Sequence, residues 1–107
     1  MRVPSEIFSL SVEHSDSSVR LLLTGRFDAA AIPALDDMIG EVERRDVLMD
    51  LDGITFMDGA AWLAVMNLDH RVHDWGKGLQ LVNTPGSIRR IFEITATEHL
   101  LSEAVGS

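Results

Sequence analysis

Cysteine is absent from this sequence of 107 residues, which excludes disulfide bonds and thiol chemistry. Positive charge is scarce: nine lysine and arginine residues stand against 17 acidic ones, and the formal net charge is −8. This charge repels phosphate backbones, so we expect no nucleic-acid partner and favour a basic surface on another protein. No apolar run approaches the roughly 20 residues that span a bilayer. The first residues also lack the apolar segment of a signal peptide, so we expect a cytoplasmic protein without direct membrane insertion.

The segment that begins at Asp46 contains a short apolar run. Val47–Met49 and Leu51 are interrupted only by Asp50, a pattern typical of a parallel strand covered on both faces. An unpaired buried carboxylate is costly, so Asp50 is predicted to form a structural hydrogen bond. The next residues, Asp52-Gly53, predict a turn that ends this strand.

The pattern takes a helical period after Asp58. Apolar residues recur at spacings of four, three and four on one helical face: Ala61, Val65, Leu68 and Val72. Asp58 is the predicted N-cap, because its carboxylate can accept hydrogen bonds from the free N–H groups of the first turn. Met57 and Trp62 hold the two positions of a hydrophobic staple. The helix start, residues 58–61, is predicted to face the solvent.

The remaining segments predict an α/β protein. Alternating residues favour strands at 7–13 and 19–24, and helical or short apolar patterns follow at 32–42, 79–82 and 88–93, with a final short helix that groups Leu100, Leu101 and Val105. The order β-β-α-β-α-β-α-α predicts a mixed, mainly parallel sheet of four strands with helices packed mainly on one face. We expect one domain over residues 1–107, with its core at about residues 7–102.

Several separated motifs resemble those of the STAS domain, the fold of bacterial anti-sigma factor antagonists. They are Gly25–Asp28, Val47–Asp50, Gly53–Asp58, Leu81–Asn83 and Ile88–Phe92. The resemblance implies a regulator that binds a protein and is not an enzyme. It also implies an antagonist that binds an anti-sigma factor and is switched off by phosphorylation.

The resemblance places the family's switch at the start of the central helix, in an Asp-Ser-Ser/Thr-Gly pattern. This chain reads Asp58-Gly59-Ala60-Ala61 there, and Asp28 matches the family's nearby acidic residue. Ala60 stands at the phosphoacceptor position and has no oxygen to phosphorylate. The predicted partner-binding residues are Asp28, Asp58, Gly59, Ala60, Ala61, Trp62 and Asp69.

Structural roles compete with this interpretation. Asp58 can act only as a helix cap, and Asp28 only as a solvated loop acid or a local cap. Trp62, which shares a helix face with Asp69, is either half of a staple or an exposed anchor for a partner. His70 and His73 share one helical face, but no further ligand cluster accompanies them, so we expect surface residues and neither a metal nor a cofactor site.

Three functions remain open at this point. The first is an anti-sigma factor antagonist that binds an anti-sigma factor or kinase-like ATPase without phospho-switching at Ala60. The alternative is a cytoplasmic STAS accessory subunit that binds the ATPase of an ABC-type lipid transport complex. A third is a small-ligand sensor at the turn Thr84–Ser87, whose helix start could bind an anion.

Overall fold

The computed structural model describes residues 7–42 and 44–101. Within these residues there are four strands and three helices, together with two single 3₁₀ turns at Ala29–Ala31 and Glu98–Leu100. In chain order the elements are β1 (Ser9–His14), β2 (Ser18–Phe27), α1 (Ile32–Glu41), β3 (Asp46–Met57), α2 (Gly59–Asp74), β4 (Leu79–Val82) and α3 (Gly86–Ile94). The sheet order is β1-β2-β3-β4. The first pair is antiparallel and the other two are parallel, which confirms the mixed sheet.

The core lies between one face of the sheet and the helices. Strand residues on this inner face alternate with more exposed ones, and β2 and β3 supply its centre: Val19, Leu21, Leu23, Phe27, Val47, Met49 and Leu51. The helices bury one stripe each against these residues. In α2 that stripe includes all four predicted positions, Ala61, Val65, Leu68 and Val72. The opposite face of the sheet, here called the outer face, carries the intervening residues.

The predicted turn at Asp52-Gly53 is wrong, because β3 runs without a break from Asp46 to Met57. Two register shifts against β2 absorb the extra residues as bulges, so the strand bends and continues. Gly53 lies at the first bulge, where a Cβ would come within 2.5 Å of the Thr24 side chain. The dipeptide therefore marks a close approach between neighbouring strands.

Gly25 also lies inside a strand, although the sequence pattern ends β2 at Thr24. Its φ is +87°, a conformation that glycine adopts without the steric cost of a side chain. A Cβ at this position would collide with the backbone carbonyl of Ile7. The glycine lets the chain before β1 cross close over β2, which then continues to Phe27.

The predicted final helix is reduced, in the described residues, to the single 3₁₀ turn at Glu98–Leu100. Leu101 leaves helical geometry and forms an isolated parallel bridge with Leu81 at the outer edge of β4. Leu100 and Leu101 are both buried, so the apolar residues serve the core without a helix. Val105, the third residue of the predicted stripe, lies outside the described residues.

Candidate functional site

Two aspartates follow the carboxyl ends of neighbouring parallel strands. Phe27 at the end of β2 pairs in register with Met57 at the end of β3. The next residues, Asp28 and Asp58, therefore leave the sheet side by side at the same edge. Loops at this edge of parallel strands are frequent binding sites in α/β proteins. Asp28 and Asp58, which are both predicted to contact a partner, are thus neighbours in the fold.

Both aspartates act as helix caps. The Asp58 carboxylate accepts a hydrogen bond from the Ala61 N–H at 2.9 Å, and Asp58 is the N-cap of α2, as predicted. The Asp28 carboxylate accepts from the Ala30 N–H at 3.1 Å and caps the 3₁₀ turn that leads into α1. Its other oxygen accepts from the Arg26 Nε at 3.2 Å. Each carboxylate is therefore held in place by its own element.

The start of α2 is accessible over most of its length. Gly59 is exposed, and Asp58 and Ala60 are half-buried. Ala61 departs from the expectation that residues 58–61 all face the solvent, because it is fully buried. The physical reason is the helical period, which turns Ala61 into the same inward stripe as Val65. We call residues 58–60 the α2 tip.

Trp62 occupies a position between the core and the surface. It packs against the core while remaining partly exposed. Its indole Nε1 donates a hydrogen bond to the Thr97 hydroxyl at 3.2 Å, across to the loop that follows α3. Asp69, on the same face of α2, is half-buried. The side chain of Trp62 therefore connects the first turn of α2 to a second segment.

Leu63 is a surface residue of α2 that the predicted set of partner-binding residues does not include. It is 52% exposed, and among the described residues Ile7 and Ile94 are the other large apolar side chains that are exposed. It lies one residue beyond Trp62 on the solvent side of α2. The helical spacing 61/65/68/72 excludes position 63 from the inward stripe, and this exclusion is the signal that could have found it.

Asp50 has the hydrogen bonds that its burial predicts. It lies on the outer face with 8% exposure. Its carboxylate accepts hydrogen bonds from the Arg20 guanidinium at 2.7 Å, the Asp52 N–H at 3.0 Å and the Asn83 side-chain amide at 3.2 Å. Burial by itself would raise the pKa of Asp50. The three hydrogen bonds and the positive charge of Arg20 outweigh burial and lower the pKa below its ordinary value.

The two histidines of α2 lie on the surface. His70 and His73 are both exposed, and the His70 Nε2 is 4.0 Å from a carboxylate oxygen of Asp74. Within residues 7–42 and 44–101, no three His, Asp or Glu side chains come together as a metal ion would require. Across the same residues, no helix combines the length and apolarity needed to cross a membrane.

The segment Thr84–Ser87, predicted as a turn, contains the start of α3, because the helix begins at Gly86. Pro85 is the N-cap and supplies no side-chain hydrogen bond to the helix. The Thr84 hydroxyl oxygen is buried and has no hydrogen-bond partner among the described residues. The anion site remains a prediction.

The family model STAS_2, described as "Mlab, STAS domain", matches residues 10–102. The chain belongs to the STAS domain family. No curated protein matches it at a significant level.

Solved structures of anti-sigma factor antagonists share the fold. One from Mycobacterium paratuberculosis has a TM-score of 0.78 and 20% identity, with 94% of this chain and 87% of that chain covered. SpoIIAA in its unphosphorylated form has a TM-score of 0.76 and 16% identity, with coverage of 88% and 86%. The phosphorylated form of the Bacillus cell fate determinant SpoIIAA has a TM-score of 0.71 and 17% identity, with coverage of 92% and 97%. At these identities the likeness establishes the fold alone.

Proposed function

We propose that this STAS protein is a cytoplasmic regulator of the anti-sigma factor antagonist type, which acts by binding another protein and not by catalysis. Its contact surface is the α2 tip with Asp28 and the partly exposed Trp62 and Asp69. The observation that carries the proposal is the geometry of the tip. The small, uncharged residues Gly59, which is exposed, and Ala60, which is half-buried, lie beside two anchored carboxylates at one edge of the sheet.

The proposed surface has the mixed character of a protein interface. Interfaces combine apolar anchors with charged rims, and aromatic residues are enriched among the anchors. Leu63 and Trp62 provide apolar area next to the tip, and Asp28 and Asp58 provide negative charge beside it. Ala61 is excluded as a side-chain contact because it is buried.

The tip has no phospho-switch at Ala60. SpoIIAA exists in phosphorylated and unphosphorylated forms. A phosphoryl group adds about −1.5 to −2 charge and considerable bulk, and it would be costly to bury under a partner beside Asp28 and Asp58. Alanine carries no acceptor oxygen, so in our proposal residue 60 stays in the uncharged, binding-competent state.

The proposed partner is an anti-sigma factor or a kinase-like ATPase with a basic contact surface. The net charge of −8 supports a partner of opposite charge and disfavours nucleic acid. The absence of a hydroxyl at residue 60 fits a second candidate equally well, an accessory subunit that binds the ATPase of an ABC-type lipid transporter. The identity of the ATPase that co-purifies with the chain distinguishes the two.

The test compares two substitutions that add one negative charge each. Ala60→Glu places the charge at the α2 tip, and Gln80→Glu places it at an exposed residue of β4 on the outer face. The wild-type chain is first used to purify its partner from the source cell, and the affinity of that partner is then measured by titration calorimetry. We expect Ala60→Glu to weaken binding by roughly tenfold or more, because the larger side chain does not fit where the partner covers a methyl group and its charge must be desolvated, and Gln80→Glu to leave it unchanged.

Two results would contradict the proposal. If the intact, folded chain recovers no protein partner, the function is wrong. If Ala60→Glu binds as tightly as the wild type, the contact surface lies elsewhere on the molecule. Thermal unfolding of both variants controls for damage to the fold, which we expect to be small because Ala60 is half-buried in the first turn.

A further inference from the structure

Arg26 is an exposed arginine that the fold holds in one orientation. It lies on β2, in register with Phe56 of β3. Its guanidinium carbon stacks over the Phe56 ring at 3.8 Å from the ring centroid, a cation–π arrangement. Its Nε donates to the Asp28 carboxylate at 3.2 Å, while 53% of the side chain stays accessible to solvent. Two separate contacts therefore fix the plane of a guanidinium that remains open on one side.

The side left open is the part of the guanidinium that binds oxyanions best. Among the described residues, the terminal nitrogens Nη1 and Nη2 of Arg26 form no hydrogen bond, since its recorded partner is reached through Nε. Two parallel N–H donors match the two oxygens of a carboxylate. Ordering this side chain in advance removes part of the entropy cost that a flexible surface arginine incurs on binding.

The location of Arg26 joins it to the proposed contact surface. It contacts Asp28 directly, and its stacking partner Phe56 lies two residues before Asp58. Arg26 and Phe56 lie on the outer face of the sheet, since their strand neighbours Phe27 and Met57 are buried on the inner face. A protein that covers Asp28 and reaches over the end of β2 would therefore meet the guanidinium at the border of its footprint. Arg26 also carries positive charge in a region where the neighbouring residues Asp28 and Asp58 are negative.

We propose that Arg26 binds an aspartate or glutamate side chain of the protein partner and so fixes the orientation of the complex. This inference rests on the proposed function of the α2 tip. A carboxylate is favoured over a phosphate because it carries one negative charge, and a doubly charged group would be repelled more strongly by Asp28 and Asp58. The partner surface is then basic as a whole, with one carboxylate placed opposite Arg26.

The test measures the affinity of the partner that co-purifies with the wild-type chain for three variants. Arg26→Met keeps an apolar stem over Phe56 and removes the guanidinium. Arg26→Lys keeps the charge but cannot present two parallel donors. Arg90→Met is the matched control, because Arg90 is an exposed arginine on α3 and its loss changes the net charge equally.

We expect Arg26→Met to weaken binding roughly tenfold or more, Arg26→Lys to recover only a small part of this loss, and Arg90→Met to stay within about twofold of the wild type. A charge exchange provides the second readout. Arg26→Glu should abolish binding, and an aspartate or glutamate of the partner changed to arginine should restore it. A purely structural role for Arg26 would give no such restoration.

The possible failures are distinguishable. If the wild-type chain binds no protein, the proposed function and this inference both fall. If Arg26→Met and Arg90→Met bind the partner equally, only the role of Arg26 is overturned. If phosphatase treatment of the partner removes the dependence on Arg26, the ligand is a phosphate and the carboxylate proposal is wrong.

Discussion

At the scale of single residues, Asp50 shows how one buried charge connects three segments. It accepts hydrogen bonds from β2 through Arg20, from β3 through the Asp52 backbone and from the loop after β4 through Asn83. A buried carboxylate is tolerated because it is fully hydrogen-bonded. The sequence indicated the need for a partner, but the partners lie 30 and 33 residues away along the chain. The pairing of the strands alone determines that Arg20 and Asn83 are these partners.

Asp50→Asn is expected to lower the free energy of unfolding at neutral pH by about 1–3 kcal/mol, because Arg20 loses its charged acceptor. The folded protein lowers the pKa of Asp50. The charged form therefore stabilises the fold at pH values above the ordinary aspartate pKa of about 3.9. As the pH falls below this value and through the lower pKa of Asp50 in the folded state, the stabilisation is lost. The difference between the variant and the wild type should shrink over that acidic window, as measured by urea unfolding at a series of pH values.

Asp52→Asn is the control for this measurement, since Asp52 is exposed and contributes to the network only its backbone N–H. We expect its stability at neutral pH to match that of the wild type. A difference between Asp50→Asn and the wild type that stays constant from neutral to strongly acidic pH would show that the charge of Asp50 does not stabilise the fold.

At the scale of elements, α2 depends on a cap that is also part of the proposed contact surface. The Asp58 carboxylate satisfies the N–H of Ala61 at the first turn. It also interacts favourably with the positive end of the helix dipole. A stability effect and a binding effect are therefore combined in one residue, and a single substitution cannot separate them.

Two substitutions of Asp58 do separate them. Asp58→Ala removes the cap and should lower the free energy of unfolding by about 1 kcal/mol, whereas Asp58→Asn keeps a capping oxygen and should cost much less. Both remove the charge, so partner affinity should fall in both variants if the charge contacts the partner. Chemical denaturation and calorimetric titration give the two quantities. Normal affinity in Asp58→Asn would mean that Asp58 serves only as a cap.

The elements also differ in how far their sequence predicts them. The buried face of α2 follows directly from the helical period of the sequence, and its buried residues include the four that this period predicts. The strand β3 does not follow from its pattern, because Asp52-Gly53 is typical of a turn. The neighbouring strand β2 overrides that local preference: it continues the hydrogen-bonded ladder past the bulges. At Asp52-Gly53, residues that are typical of a turn form a bulge that bends β3.

At the scale of the whole molecule, charge is the property most relevant to association. Residues on the solvent side of α1 add to the negative charge of the molecule, among them the exposed Asp37 and Asp36, the latter 3.9 Å from Arg71 of α2. Complementary fields raise the rate of encounter more than they raise the final affinity, and salt screens them over about 10 Å at 0.1 M ionic strength. Charge should therefore govern how fast the partner binds.

The association rate constant with a basic partner should fall by about tenfold or more between low and physiological salt, with a smaller change in the dissociation rate. The double variant Asp36→Asn/Asp37→Asn should reduce this dependence, while Ala60→Glu should raise the dissociation rate. Stopped-flow mixing at several salt concentrations measures both constants. An association rate that is independent of salt would exclude a basic partner surface.

The sequence by itself determined the class of the fold, the helical face of α2, the cap at Asp58 and the absence of a hydroxyl at residue 60. The last three depend on chemistry or periodicity within a few consecutive residues, and the class of the fold follows from the order of the elements along the chain. Tertiary structure alone decided which residues become neighbours: Asp28 and Asp58 follow paired strand ends, Arg20 and Asn83 contact Asp50, and Arg26 lies over Phe56. It also decided that Leu101 would leave helical geometry to pair with Leu81. These contacts depend on strand register and on bulges, which are set by the packing of distant segments.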